Sequence, residues 1–195
     1  MREPLRLSLT TPPARLPVEP NELRAQLRLD DDQVLEDALL AATLRSAVQA
    51  CESFTGRVLM TQTWTLFRDA WPGHVLDLPR PPLRAVVHVK TYNESDTESL
   101  WPADNYFADT ASLPGRLIAR TGQAFPAPGR AANGIEVRFT AGHGDSPVDV
   151  PEQLRQGILQ LAAHLFENRG DRDAGNAVAA SGTAALWRPF VVARL

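Results

Sequence analysis

The residues able to do chemistry in this chain are few and scattered. Its four histidines stand at positions 74, 88, 143 and 164. His143 lies in Ala141-Gly142-His143-Gly144-Asp145, where an imidazole and a carboxylate close together would be the minimum for general-base hydrolysis. The same stretch directly follows a predicted strand, and glycine on both sides of the histidine is what an ordinary turn requires. His164 and Glu167 are three residues apart on a predicted helix, which is half of what a carboxylate-bridged metal bundle would show. Such bundles need two Glu-x-x-His units and further glutamates, whereas here there is one pair in reverse order. A surface or interface ion pair is the preferred reading. Asp30-Asp31-Asp32 offers carboxylates to a cation, but no further ligands follow at a recognisable spacing. The triplet also suits the positive end of a helix dipole, with Asp30 and Gln33 at capping-box spacing.

Other chemistry is missing from the sequence. There is no glycine-rich phosphate loop, no nucleophile elbow and no paired-histidine zinc motif. Cys51 is the single cysteine, so the chain can form neither an internal disulfide nor a thiolate cluster. Its place on a helix between Ala47 and Phe54 fits a small buried hydrophobe. Arg169-Gly170-Asp171 spells an adhesion tripeptide, but at a predicted helix end it is read as coincidence. Pro79-Arg80-Pro81-Pro82 matches a PxxP pattern and is read as the proline-rich edge of a strand. No catalytic, cofactor-binding or metal-ligating residue is assigned, and no cofactor is expected. A hydrolase using His143 and Asp145 remains the enzymatic alternative.

Composition bounds the rest. The 195 residues suit one domain, or one domain with an elaborate insertion, and 44% hydrophobic content allows a substantial core. The net charge of -3 argues against a protein that coats nucleic acid, which would carry a basic excess. No stretch has the pattern of a signal peptide or a membrane span, so the expected setting is a reducing cytoplasm.

The elements follow from periodicity. Residues 1–17, with Pro4, Pro12, Pro13 and Pro17, read as an extended arm. A short helix is expected over 20–29, with Pro20 in its first turn. A long one is expected over 32–55, where Leu40, Leu44, Ala47, Cys51 and Phe54 repeat at helical spacing. Leu35, Ala38, Leu39 and Ala42 widen that stripe, and Gly56 terminates the helix. Between 60 and 145 the pattern alternates, as in Ile135, Val137 and Phe139 against Glu136, Arg138 and Thr140. Four to seven short, mostly antiparallel strands are expected there, that last one with a wet face. Helical spacing returns with Leu154, Ile158, Leu161 and Leu165, behind a capping box of Asp149 and Glu152, and Gly170 closes the helix. The stretch from Asp171 to Gly182 reads as mobile, and a last short helix includes Ala184 to Trp187. The fold class expected is α+β: a helical core built from the N- and C-terminal helices (18–57 and 149–170), with an inserted, mostly antiparallel β region (58–148) and a tail (171–195).

The blocks EDALLAATLRSAVQACESFTGRVLMTQTW, LPRPPLRAVVHV, VRFTAGHG and VPEQLRQGILQLAAHLFENRG, in that order, resemble the head-tail connector (adaptor) family of tailed phages, prophages and gene transfer agents. The resemblance spans about residues 19 to 170. It implies a structural subunit of the virion neck, not an enzyme. Such a subunit assembles with itself into a ring, usually twelvefold, beneath the portal protein. The ring extends the channel through which DNA passes without sequence-specific binding, and offers a docking surface to a stopper or tail-terminator protein. The implied location is the bacterial cytoplasm during assembly and then the particle neck, with no membrane partner. In related adaptors a C-terminal segment reaches the portal. Carried onto this chain, that role falls on Leu186, Trp187, Arg188, Phe190, Val191 and Arg194, aromatic, apolar and arginine residues of the kind that anchor interfaces. The alternative for this tail is that Leu186 to Val191 folds back on the helical core. Alternatives for the whole chain are a neck stopper or tail-completion protein, which tend to be smaller and richer in β-structure, or a small cytoplasmic ligand-binding α+β protein.

Overall fold

In the computed structural model, residues 6–29, 37–168 and 177–192 are described. The chain divides into two compact units. One combines residues 1–13 with 61–143, and the other combines 14–60 with 144–195.

The second of these is helical. Helix α1 (Pro20–Leu27) starts with Pro20 at its first position, behind a capping box in which the Glu19 and Glu22 side chains each accept from the other's end of the turn. It stops at Arg28, which takes a left-handed φ of 56°. Helix α2 (Asp37–Thr55) ends at Gly56, whose φ of 72° suits a residue without Cβ. Helix α3 (Glu152–Glu167) follows a 3-10 turn at Pro147–Asp149. Two short helices, α4 (Ala177–Ala180) and α5 (Thr183–Trp187), lead into a final 3-10 turn at Arg188–Phe190. Leu40, Leu44, Ala47 and Cys51 from α2 meet Leu154, Ile158, Leu161 and Phe166 from α3 in one apolar cluster. Burial accordingly pushes the Cys51 thiol far up, and the residue is a core filler.

The β unit contains eight strands among the described residues: β1 (Arg6–Thr11), β2 (Gln62–Arg68), β3 (Val75–Leu78), β4 (Leu83–Tyr92), β5 (Glu98–Trp101), β6 (Tyr106–Asp109), β7 (Gly115–Ala119) and β8 (Ile135–Ala141). A five-stranded sheet has the order β1-β2-β8-β4-β5, and a three-stranded sheet the order β3-β7-β6, with every pairing antiparallel. Leu66, Val89, Ile135, Val137 and Phe139 of the first sheet and Leu76, Leu78 and Leu117 of the second are buried. The Trp101 and Tyr106 rings lie 5.3 Å apart, and Trp71 stacks on Phe125 at 4.2 Å.

Four expectations are changed by this structure. Part of the segment read as an arm is an edge strand, because Arg6–Thr11 pairs with β2 and its Arg6 guanidinium bonds Asp69 and Asn133. Asp149 does not cap α3; it closes a capping box with Ser146 around the preceding turn, and Pro151 is the N-cap of α3. Ala38, Leu39 and Ala42 are exposed, and α2 widens its buried face instead through Thr43 and Val48. Residues 177–180 of the stretch read as mobile form α4. The aspartate triplet, the capping pair Asp30 and Gln33, Leu35, Gly170 and the Arg169-Gly170-Asp171 motif lie outside the described residues.

Candidate functional site

The C-terminal segment singled out by sequence folds onto the helical unit. Gly182, at φ 75°, turns the chain into α5, and Thr183 Oγ1 donates to the Val178 carbonyl at 3.1 Å. Trp187 is 0% exposed. Its indole nitrogen donates to the Leu154 carbonyl at 3.3 Å, and its ring meets Phe54 at 5.8 Å in a tilted arrangement. A Cβ on Gly157 would sit 2.2 Å from that indole nitrogen, so glycine in the middle of α3 makes the indole's room. Beyond the helix, the Val192 amide donates to the Thr55 carbonyl at 2.9 Å, and Arg57 Nε donates to the Phe190 carbonyl at 2.7 Å. The segment is thus tied to both α2 and α3.

The six candidate residues separate accordingly. Trp187 is interior, so in this structure it anchors the segment and is not presented to a partner. Leu186 and Phe190 are half-buried against the helical core. Arg188 and Val191 are exposed. Arg194 lies outside the described residues.

His143 ends the β unit and Asp145 belongs to the helical one. His164 and Glu167 share the wall of a surface hollow of about 320 Å³ with Gln26, Gln160 and Ser181, and Asn168 lies 3.3 Å from His164 Nδ1. Among the described residues no three metal-ligating side chains gather. Arg80 of the PRPP stretch lies over the Trp64 ring at 5.2 Å, in the bend between β3 and β4.

One polar cluster escapes sequence reasoning. Glu136 on β8 is only 7% exposed, although strand alternation places it on the wet face. His88 Nε2 lies 2.8 Å from one carboxylate oxygen, and the Tyr92 hydroxyl donates to the other at 2.7 Å. Arg138 stands 3.6 Å away. Burial alone would raise the Glu136 carboxyl, but His88, Tyr92 and Arg138 together hold it below the usual range. The Tyr92 hydroxyl is pushed up to about 12, first by its bond to Glu136 and then by burial. The register pairs Lys90 with Glu136 and His88 with Arg138 across neighbouring strands, which no linear motif announces. The cluster ties β4 to β8, and both carboxylate oxygens are already occupied.

No family model matches the chain, and no curated protein matches it. Solved structures do. The chain is similar to one in the neck of an empty gene transfer agent particle computed with C6 symmetry, at 27% identity and a TM-score of 0.83, over 97% of both chains. It is similar to one in the virion of a native gene transfer agent particle, at 26% identity and a TM-score of 0.78, over 97% of this chain and 96% of that one. A third, from the neck of a native particle computed with C12 symmetry, shares 28% identity and a TM-score of 0.74, over 99% of this chain and 97% of that one. No helix among the described residues is long and apolar enough to cross a membrane. Over nearly its whole length, then, the chain has the fold of a structural protein built into gene transfer agent particles and their necks.

Proposed function

We propose that this protein is a head-tail connector, an adaptor subunit of a phage-like particle neck. The carrying observation is the likeness to a gene transfer agent neck chain over 97% of both chains, at 27% identity and a TM-score of 0.83. Copies of the chain form a twelvefold ring beneath the portal, a number compatible with the C12 symmetry with which one similar neck was computed, and the ring extends the channel for DNA. A stopper or tail-terminator protein docks below it. The role is structural. A ring needs two different side faces on each subunit for a heterologous contact that closes. The acidic balance, at net charge -3, suits a passage that does not grip phosphates. The portal contact falls on Arg188 and Val191, with Leu186, Phe190 and Arg194 beside them in sequence and Trp187 as the internal anchor of the segment.

Electron microscopy of particles from a strain lacking this gene, with a complemented control, tests the proposal. The expected outcome is capsids without tails, restored by complementation, and wild-type necks with twelve copies of the chain. Normal tailed particles in the deletion strain would overturn it.

A further inference from the structure

The outward face of the three-stranded sheet carries an apolar row where an antiparallel sheet facing water would carry polar side chains. Val75, Ile118 and Phe107 stand opposite one another across β3, β7 and β6. Val75 is 39% and Phe107 51% exposed. Single exposed apolar residues are ordinary, but three in register form a patch. The adjacent register row is Asp77, Arg116 and Asp109. Arg116 is committed to Asp109, with Nη2 donating at 2.7 Å and Nε at 3.0 Å. Asp77 is exposed and pairs with no cation among the described residues. The patch is therefore apolar with one uncompensated carboxylate beside it.

A patch of opposite character lies on β4. Strand β5 pairs only with Val89 to Tyr92, so among the described residues no strand pairs with that edge of Leu83 to His88, although Gly115 of β7 lies against Leu83. Two register shifts in this half of β4 make the edge a poor template for backbone pairing. A partner here would be met by side chains. Arg84, Ala85 and Val87 are exposed, Val87 by 52%. Arg84 donates to the His143 carbonyl at 3.1 Å, which leaves its charge uncancelled.

We propose that these two patches are the two halves of one contact between copies of this chain: Val87 and Arg84 of one subunit dock on the Val75–Ile118–Phe107 row and Asp77 of the next. The inference rests on the ring reading above. Both halves lie on the same chain, they differ from each other, and their charges are opposite, which is what a head-to-tail contact requires.

Cysteine pairs test it in assembled particles. Cys51, the only native thiol, is buried, so one introduced cysteine is the only accessible one. A strain co-expressing Phe107→Cys and Val87→Cys chains is expected to yield particles in which a short bismaleimide links two copies, while particles carrying either variant alone give no link. Particles that contain the chain but show no link, or equal linking with one variant alone, would overturn the contact and leave the neck reading standing. Wild-type particles without the chain would overturn both. Charge exchange gives a second readout. Asp77→Arg is expected to lower incorporation at least about tenfold, and adding Arg84→Asp to the same chain to restore most of it. No restoration, with both variants folded by circular dichroism, would count against the pairing.

Discussion

Trp187 shows how one side chain fixes the meaning of its neighbours. Alanine is favoured over glycine inside a helix by about 1 kcal/mol. Gly157 nevertheless sits in the interior of α3, because a Cβ there would fall 2.2 Å from the Trp187 indole nitrogen. The clash outweighs the propensity, since overpacking a core costs about 1–3 kcal/mol. Gly157→Ala should therefore destabilise the protein in chemical denaturation, and Trp187→Ala should cost about 3–5 kcal/mol through the cavity it leaves. The two changes should not add. In the Trp187→Ala background, Gly157→Ala is expected to be neutral or stabilising, and a further loss there would refute the steric account. Glu136 gives a pH-dependent counterpart. Its folded carboxyl lies below the ordinary value, so it contributes stability that is present above that ordinary value and lost as pH falls through the folded value. Denaturation curves should show wild type exceeding Glu136→Gln near neutrality, with the gap closing in acid. A gap independent of pH would mean that the charge of Glu136 is not what its partners stabilise.

At the scale of elements, the C-terminal segment folds back on the helical core, one of the two alternatives the sequence leaves open, and keeps part of its surface exposed. Its apolar residues fold back, with Trp187 under α2 and α3, and its Arg188 and Val191 remain exposed. Removal of residues 183–195 would therefore expose core as well as remove the proposed docking surface, which makes deletion a poor probe of partner binding. Surface changes separate the two. Arg188→Glu with Val191→Asp should leave the melting temperature within a few degrees, because exposed substitutions rarely exceed about 0.5 kcal/mol. The same double variant should bind the portal at least about tenfold more weakly in a pull-down titration. Unchanged binding would remove this segment from the portal contact. The element pattern was legible where one face is buried and the period is clean. Leu40, Leu44, Ala47 and Cys51 on α2 and Leu154, Ile158 and Leu161 on α3 stand in the core at the spacing their sequence shows. It failed for Ala38, Leu39 and Ala42, because alanine and a lone leucine are tolerated on either side of a helix. It failed again at β1, where none of the six side chains is buried and strand identity comes from pairing with Gln62–Arg68.

For the whole molecule, the proposed neck role is one that assembly would carry. The candidate chemical groups remain scattered on two units, and the likenesses are to chains of symmetric particle necks. A subunit of that kind shows its role in faces and repeats, so particle morphology and copy number test the neck reading more directly than any ligand screen. The loss of tails in a deletion strain speaks to the neck role as such. The Phe107 to Val87 link speaks to how neighbouring copies touch.

The sequence by itself determined the α+β class, the two long helices and their core stripes, the antiparallel character of the middle region, and the scarcity of catalytic groups. These are local properties, set by periodicity, turn residues and residue type. Only the tertiary structure decided that Arg6–Thr11 joins the β unit, that Glu136 is enclosed by His88 and Tyr92, and that Trp187 points inward beside Gly157. It likewise aligned Val75, Ile118 and Phe107 in one row. Each of these depends on which distant segments become neighbours. Strand register and helix packing set that, and a period in the linear chain shows which face is buried but not which segment it meets.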